Sequence, residues 1–493
     1  MTLPERRYEL AEALPDLRQE GLLRGVLVHE RGAWAQRHGE DGQAAGFFLG
    51  ASLDSRRIES GSLFVALQGE HDDGRNYVGG ALRAGASVAL TRPWDAAEPD
   101  PLLSGDPGHD AVVILADKPE RALTLLADRW RSRLGTPAVA VTGSNGKTTT
   151  KDLLGCLLSD HALGLATAGN FNNELGLPIT VLGLRERHAW AVFELGASGP
   201  GDIDKLAALA RPRVGVITNA SGAHLEGFGS VDGVVATKGE LLDHLPAEGT
   251  AILGRDSIGY ASWSERARCE VLDWGETGHQ RVWSWRPTQD GCGGVVTLDD
   301  ESWTLPLPGR HNGANLVAAV LAARALTGET LDIAAALKQF RGSPHRNRLL
   351  DAGGVTLFDD TYNANPASMI AAARALLDAP GSGRRFAVLG AMAELGPQTD
   401  QLHFGVGTEL REAGLDALWT VGEAAAPMAE GFALAGGEAA ALPTLDAALT
   451  AVLAVVATGD FVLVKGSRSA GMERFVKRFL EHRNPDMSNL ETD

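Results

Sequence analysis

The segment that most constrains the fold is AVAVTGSNGKTTTKDLLGCLL, where an apolar run meets a glycine-rich turn and then a helical pattern. Residues 138–141 predict a buried strand. Gly143 and Gly146 allow the backbone to curl so that its N–H groups point inward, and the start of the next helix adds positive potential. The spacing is GxxGKT, which is shorter than a Walker A loop. The turn therefore predicts a nucleotide phosphate site, with an ordinary strand-to-helix turn as the alternative.

The residue types in this turn suggest individual roles. Lys147 is expected to reach the β- and γ-phosphates and to act catalytically, because phosphoryl transfer develops negative charge that a fixed cation stabilises. Thr148 is expected to offer its hydroxyl to Mg²⁺. The residues predicted to contact the nucleotide are Gly143, Ser144, Asn145, Gly146, Lys147, Thr148 and Thr149.

The rhythm of apolar runs and helical patterns predicts an α/β protein of three domains. Short strand-like runs such as SLFVALQG and charged turns fill the chain up to about residue 100. Strand and helix patterns then alternate to about residue 345 and again after it, which is typical of parallel sheets covered by helices. The polar segments DAAEPDPLLSGDPGHD and GSPHRNR separate these stretches. The predicted domains are 1–100, 101–345 and 346–493.

Charge and cysteine usage exclude several classes of protein. The chain has 45 basic and 63 acidic residues and a net charge of −18, so a nucleic acid or an anionic membrane is not expected as its main partner. The three cysteines have neither zinc nor CxxC spacing. The first twenty residues lack the apolar core of a signal peptide, and no apolar stretch is long enough to span a bilayer. We therefore expect a cytoplasmic protein without membrane insertion.

Nine motifs in order resemble the Mur ligase family of ATP-dependent amide ligases: GSNGKTT, NFNNELGLP, ELGASGPGDI, TNASGAHLEGFG, ATKGE, LPGRHNGANLVAA, DDTYNANPASM, LGAMAELG and LVKGSRS. The resemblance implies an N-terminal α/β uridine-binding domain, a central P-loop ATPase domain with a parallel sheet, and a C-terminal Rossmann-like domain. NFNNELGLP and TYNANPASM resemble the members that add D-Ala-D-Ala to UDP-MurNAc-tripeptide in peptidoglycan synthesis. Implied cofactors are ATP and Mg²⁺ at two sites. We also expect the protein to be a monomer.

The residues suit such a reaction. A carboxylate becomes an acylating agent only when its oxygen is converted into a good leaving group, here by transfer of the γ-phosphoryl group. An amine then displaces phosphate from the acyl phosphate. Both steps develop negative charge and need metals and fixed cations. Because ATP is expected between the central and last domains, we also expect the last domain to close over the centre during ligation.

The resemblance implies metal-binding and catalytic roles for three residues beyond the phosphate loop. Glu194 ends the apolar run WAVFEL and corresponds to a Mg²⁺ ligand. His224 in AHLEG corresponds to a histidine metal ligand, and Lys238 in ATKGE to a lysine that the family carbamylates. The structural alternatives are a solvated acid at a strand end, a histidine of a glycine-rich loop and a solvated helix lysine.

The resemblance also implies ligand contacts along the chain. Asn312 and Asn315, three apart at a predicted helix start, correspond to residues at the adenine, and Arg348 and Asp360 to further nucleotide contacts. The residue before Arg348 is Asn347, where the family usually has glycine. The implied substrate contacts are Ser55, Asn172, Asn173, Tyr362, Asn363, Asn365, Lys465, Ser467 and Arg468. Each has an alternative as a cap, turn or surface residue.

Two other functions stay open at this point. One is another ligase with the short phosphate loop, of the folylpolyglutamate or cyanophycin type. The other is a P-loop protein that binds nucleotide without ligating anything. Glu194, His224 and Lys238 discriminate against the second, because a nucleotide switch does not need a second metal site.

Overall fold

The computed structural model describes residues 6–30, 33–37, 44–70, 72–94, 106–222, 225–276 and 281–484. The chain forms two compact units. The first comprises the described residues of 1–140, 162–196 and 204–212, and the second those of 141–161, 197–203 and 213–493. Among the described residues, no helix has both the length and the apolar character needed to cross a bilayer.

The strands are β1 (Tyr8–Glu9), β2 (Leu23–Glu30), β3 (Ala33–Arg37), β4 (Phe47–Phe48), β5 (Ala51–Ser52), β6 (Leu63–Val65), β7 (Val88–Thr91), β8 (Ala111–Ala116), β9 (Ala138–Thr142), β10 (Gly164–Ala166), β11 (Trp190–Glu194), β12 (Val214–Ile217), β13 (Thr250–Gly254), β14 (Glu270–Trp274), β15 (Trp283–Pro287), β16 (Gly294–Leu298), β17 (Glu301–Leu305), β18 (Arg348–Asp351), β19 (Thr356–Asp360), β20 (Arg385–Gly390), β21 (Ala417–Val421), β22 (Glu438–Leu442) and β23 (Phe461–Lys465).

The helices are α1 (Leu10–Gln19), α2 (Val78–Arg83), α3 (Pro119–Arg133), α4 (Lys147–Ser159), α5 (Gly176–Leu182), α6 (Asp202–Ala210), α7 (Leu225–Phe228), α8 (Val231–Gly239), α9 (Tyr260–Arg266), α10 (Arg310–Thr327), α11 (Ile333–Gln339), α12 (Pro366–Leu377), α13 (Thr399–Glu412), α14 (Ala426–Leu434), α15 (Leu445–Val455) and α16 (Glu473–Arg483).

The N-terminal sheet lies in the first unit and has the order β3-β2-β8-β7-β6-β5. Strands β5 to β8 pair in parallel, whereas β2 is antiparallel to both of its neighbours. Every residue of β8 is buried, as expected of a parallel strand covered on both faces. Phe64, Leu82 and Val113 belong to the core beside this sheet.

The central strands form a sheet of order β10-β11-β9-β12-β13-β14. Strands β9, β12 and β13 are buried throughout, which agrees with the predicted parallel sheet. The central region also departs from the predicted alternation, because β15, β16 and β17 form a separate antiparallel sheet. Its segments alternate apolar and polar residues, and the turn between β16 and β17 contains Asp299 at φ 51°, as a two-residue hairpin requires.

The C-terminal sheet has the order β18-β19-β23-β20-β21-β22, and all of its pairs are parallel except that of the edge strand β18. One face packs on a core that includes Met369 and Phe432, and the other on a core that includes Leu449 and Phe479. A parallel sheet covered by helices was predicted here, and the structure has one. In such sheets ligands bind beyond the carboxyl ends of the strands.

Candidate functional site

The phosphate loop connects β9 to α4 within the second unit. No residue with a Cβ atom can replace either of its two glycines. Gly143 has φ 140° and Gly146 has φ 82°, a backbone region that favours glycine. A Cβ atom on Gly143 would lie 1.9 Å from Thr218 Oγ1. A Cβ atom on Gly146 would lie 2.3 Å from Asn315 Oδ1. The close packing therefore explains both glycines of the predicted motif.

The segment after β12 braces the same loop. The backbone N–H of Ser144 donates to the Asn219 carbonyl at 2.9 Å, and that of Asn145 to Asn219 Oδ1 at 3.0 Å. Lys147 Nζ lies over the loop, 2.7 Å from the Gly143 carbonyl oxygen and 3.2 Å from that of Ser144. Thr148 is buried in the first turn of α4, where helix N–H groups face the loop. The loop, Lys147 and the first turn of α4 therefore form a preformed, positively charged site that is suited to a phosphate group.

The two asparagines of α10 lie beside this site. Asn312 and Asn315 are 1% and 6% exposed, and Asn315 Nδ2 donates to Asn312 Oδ1 at 3.3 Å. Asn312 Nδ2 donates to the Pro308 carbonyl at 2.7 Å. Because Asn315 also packs against Gly146, the predicted adenine contacts and phosphate contacts come together in the second unit.

Lys238, near the end of α8, is buried rather than solvated. It is 2% exposed, and Nζ lies 5.2 Å from the centre of the Phe228 ring. Burial, and after it the positive charge of Lys147, lower the pKa of Lys238 to about 7, although Asp202 and Glu240 act in the opposite direction. The solvated-lysine alternative is thereby removed, and an appreciable fraction of the amine is neutral near pH 7.

In the first unit, Glu194 at the end of β11 is 2% exposed. Its Oε1 accepts from Asn172 Nδ2 at 2.7 Å, whereas its Oε2 is buried without a hydrogen-bond partner among the described residues. Asn173, in contrast, is exposed, and its Oδ1 accepts from the Gly176 N–H at 2.8 Å, which caps the start of α5. A buried carboxylate oxygen without a protein donor is suited to a cation.

The structure describes the predicted substrate contact Ser55 but not the predicted metal ligand His224. Ser55 is half-buried in a turn after β5, between Asp54 and Arg56, whose side chains pair at 2.9 Å. His224 lies outside the described residues. Across the part of the chain that is described, no three His, Cys, Asp or Glu side chains gather into a metal-binding group.

In the C-terminal sheet, Lys465 and Asp360 form a buried pair at the ends of β23 and β19. Lys465 is 2% exposed and donates to Asp360 Oδ2 at 2.5 Å, to the Asn363 carbonyl at 2.7 Å and to the Asp360 carbonyl at 3.4 Å. An ammonium group has three N–H donors, and three acceptors of the turn face them. This geometry favours a role in holding the turn over direct contact with a substrate.

The turn after β19 faces the phosphate loop through Asn365. That residue caps α12, and its Nδ2 donates to Asn145 Oδ1 at 2.7 Å while Asn145 Nδ2 lies 3.4 Å from Asn365 Oδ1. Tyr362 is half-buried beneath the Arg346 guanidinium, 4.0 Å from the ring centre. Asn363 is exposed. The structure thus connects the predicted substrate turn to the predicted nucleotide loop.

The predicted arginines of this region lie on the surface. Arg348 begins β18, is exposed and pairs in register with Asp359, and Arg468 is exposed at the start of a 3₁₀ turn. Sequence reasoning missed Arg346, the other arginine of GSPHRNR, which stacks on Tyr362. Nothing in the spacing distinguishes two arginines that stand two residues apart.

A crevice of about 520 Å³ opens beyond the carboxyl ends of β20 to β23. Ser467, which was predicted, lines it and is 2% exposed. Thr444, Asp446, Arg474 and Arg478 line it as well and were not predicted. Arg478 pairs with Asp446. The crevice therefore offers hydroxyls and charges of both signs between small apolar side chains such as Ala391 and Ala470.

Comparisons with known proteins identify close relatives. Residues 141–323 match the family model described as the Mur ligase middle domain, and residues 345–468 match that of the Mur ligase, glutamate ligase domain. The UDP-N-acetylmuramoyl-tripeptide–D-alanyl-D-alanine ligase of Escherichia coli (strain K12) is 35% identical over 452 residues, which cover 87% of this chain and 93% of the relative.

Solved structures agree. The crystal structure I of MurF from Acinetobacter baumannii has a TM-score of 0.81 and 31% identity, with 97% of this chain and 100% of that one covered. The MurF ligase from Thermotoga maritima in complex with ADP has a TM-score of 0.75 and 28% identity, covering 88% and 98%.

Proposed function

The chain belongs to the Mur ligase family, and from that premise we propose that it joins D-alanyl-D-alanine to UDP-N-acetylmuramoyl-tripeptide with hydrolysis of ATP. Its fold is the three-domain α/β fold of that family, as predicted. The observation that carries the proposal is the preformed phosphate loop with Asn312 and Asn315 beside it, in a chain that matches such ligases over most of its length. We propose the domain limits 1–100, 101–345 and 346–493 for uridine substrate, ATP and dipeptide.

The reaction has two steps. The terminal carboxylate of the tripeptide attacks the γ-phosphorus of ATP, which forms an acyl phosphate and releases ADP. The neutral amine of D-Ala-D-Ala then attacks the acyl carbon, phosphate leaves with the bonding pair, and the new amide nitrogen loses a proton. Lys147 stabilises the charge that develops on the transferring oxygens, and the loop N–H groups orient the phosphates. Asn312 and Asn315 hold the adenine end.

Mg²⁺ fits the residues that are present. Glu194 Oε2 is a buried acceptor without a protein donor, and carboxylate oxygen is a ligand that Mg²⁺ prefers. Bound Mg²⁺ would neutralise phosphate charge. We propose two Mg²⁺ sites, with Glu194, Thr148, His224 and a carbamylated Lys238 as the metal ligands. Asn172 fixes the Glu194 carboxylate through Oε1.

Lys238 suits carbamylation. The neutral amine attacks carbon dioxide and loses a proton, which leaves a carbamate anion on Nζ. Burial supports this step because it lowers the pKa of Lys238 to about 7 and so supplies neutral amine. A carbamate would also convert a buried cation into an anion that can bind metal.

The dipeptide fits the crevice beyond β20 to β23. D-Ala-D-Ala carries an ammonium, a carboxylate and two methyl groups. Arg474 can meet the carboxylate, and the small apolar side chains can meet the methyl groups. Ser467 supplies a hydroxyl to the lining of the crevice. We propose that the enzyme acts as a monomer in the cytoplasm, where its three free cysteines stay reduced.

The test is phosphate release from ATP with each pair of substrates, with mass spectrometry of the product. We expect release only when UDP-MurNAc-tripeptide and D-Ala-D-Ala are both present, and a UDP-pentapeptide as product. L-glutamate with a folate acceptor is the matched control for the folylpolyglutamate alternative. Lys147→Ala should abolish ligation. Phosphate release that does not depend on D-Ala-D-Ala would contradict ligation, and activity only with glutamate would favour the alternative.

A further inference from the structure

The segment GSPHRNR (residues 342–348), here called the linker, overlaps the start of the second matched family domain and has an unusual backbone. His345 has φ 60° and Asn347 has φ 50°, so two residues other than glycine occupy the left-handed region on either side of Arg346. Each costs roughly 1–2 kcal/mol relative to an ordinary conformation, although asparagine tolerates it better than most. Such a conformation persists only where contacts hold it.

Contacts of His345 and Asn347 with the C-terminal sheet stabilise this backbone conformation. The His345 ring nitrogen Nδ1 lies 2.9 Å from Asp359 Oδ2, and the Tyr362 N–H donates to the His345 carbonyl at 3.1 Å. The Asn347 N–H donates to Asp360 Oδ1 at 3.2 Å. Through Asp360 the linker joins the buried pair with Lys465 and the turn that contacts the phosphate loop.

The side chain of Asn347 connects the linker to helix α10. Its Nδ2 lies 3.2 Å from Nε2 of His311, the second residue of α10. His311 directly precedes Asn312 and lies one helical turn before Asn315, which packs against Gly146 of the phosphate loop. The residue Asn347 therefore bridges helix α10 and the C-terminal sheet. Neither glycine nor alanine could form this bridge, because neither has a side-chain hydrogen-bond donor.

The ionisation of His311 agrees with this contact. Burial lowers the pKa of His311 to about 4, while Asp360 raises it and Lys465 lowers it. The ring is neutral at assay pH, so Nε2 can accept the amide proton of Asn347 when the ring proton is on Nδ1.

We propose that Asn347 is a positioning residue for ligation. Its contact with His311 connects the linker to α10 and so keeps the turn of residues 360–365 against the phosphate loop. The proposal rests on the proposed function, since ligation is its readout. Asn347 is not among the residues proposed to contact phosphate or acceptor, so its effect should appear in turnover. The contacts of the uridine substrate should be unaffected.

The test is a double-mutant cycle with Asn347→Gly and His311→Phe in the full chain. Glycine keeps the left-handed backbone and removes only the amide, and phenylalanine removes the acceptor. We expect Asn347→Gly to lower kcat about fivefold, as loss of one hydrogen bond allows, with the KM for UDP-MurNAc-tripeptide unchanged. In the His311→Phe background the same substitution should change kcat by less than about twofold.

Equal kcat for Asn347→Gly and the wild type, or the same fivefold loss in both backgrounds, would overturn the proposal. A wild type that ligates nothing would instead refute the proposed function. In that event hydrogen exchange of residues 341–350 with a non-hydrolysable ATP analogue still tests the bridge. Faster exchange in Asn347→Gly than in the wild type supports it, and identical exchange refutes it.

Discussion

The buried pair of Lys465 and Asp360 gives the most quantitative prediction. Lys465→Met removes a 2% exposed ammonium and leaves the Asp360 carboxylate, which is 8% exposed, with the Asn347 N–H as a remaining donor. Removal of one partner of a buried pair typically costs about 3–5 kcal/mol. For a domain of this size that lowers the midpoint of thermal unfolding by roughly 10 °C.

The double variant Lys465→Met/Asp360→Asn separates positioning from substrate binding. Replacing both charges removes the uncompensated carboxylate, so most of the lost stability should return. Ligation should recover in part if Lys465 acts by holding the turn. Scanning calorimetry measures the stability, and coupled phosphate release measures ligation. A single variant within about 1 kcal/mol of the wild type, or a double variant as unstable as the single one, would refute the reasoning.

Three further predictions concern the phosphate loop and the metal residues. Gly146→Ala should abolish binding of an ATP analogue in calorimetry, because the new Cβ atom would lie 2.3 Å from Asn315 Oδ1; undiminished affinity would contradict the packing argument. Glu194→Gln keeps a bond to Asn172 and should raise the Mg²⁺ concentration for half-maximal activity at least tenfold, with the melting temperature unchanged; an unchanged Mg²⁺ dependence would exclude Glu194 as a ligand. The lowered pKa of Lys238, about 7, predicts that bicarbonate restores carbon-dioxide-depleted enzyme at pH 8 but not at pH 6, and that Lys238→Ala is partly rescued by a short carboxylate; restoration at both pH values would count against a carbamate.

The same pKa of Lys238 fixes the sign of a stability effect. Between about pH 7 and the ordinary lysine value the unfolded chain binds more protons than the folded one, so stability rises with pH across that interval. Below about pH 7 the buried ammonium opposes folding in full. Lys238→Met should therefore stabilise the protein more at pH 6 than at pH 9, as denaturant titrations at both pH values can measure.

Local features were predictable from the sequence, because they depend on neighbours in the chain. The phosphate loop is one example: the strand, the two glycines and the helix start are all contained in residues 138–159. The strands β19, β20, β21 and β23 are others, since each is an apolar run buried on both faces of a parallel sheet.

Tertiary contacts were not predictable in the same way. The Asn145–Asn365 pair joins residues 220 apart, and no local pattern specifies it. Burial of Lys238 depends on Phe228 and on its surroundings in the fold, whereas a lysine in a helix is by default expected to be solvated. Arg346 and Arg348 stand two residues apart, and only the folded structure shows that Arg346 stacks on Tyr362 whereas Arg348 is exposed.

Isotope transfer tests the central claim most directly. UDP-MurNAc-tripeptide is labelled with ¹⁸O in its terminal carboxylate and incubated with ATP, Mg²⁺ and D-Ala-D-Ala. An acyl phosphate requires one carboxylate oxygen to leave with the phosphoryl group, so the account predicts one ¹⁸O atom in each phosphate released and one retained in the new amide. Unlabelled phosphate accompanying the pentapeptide would contradict activation of the carboxylate by phosphoryl transfer.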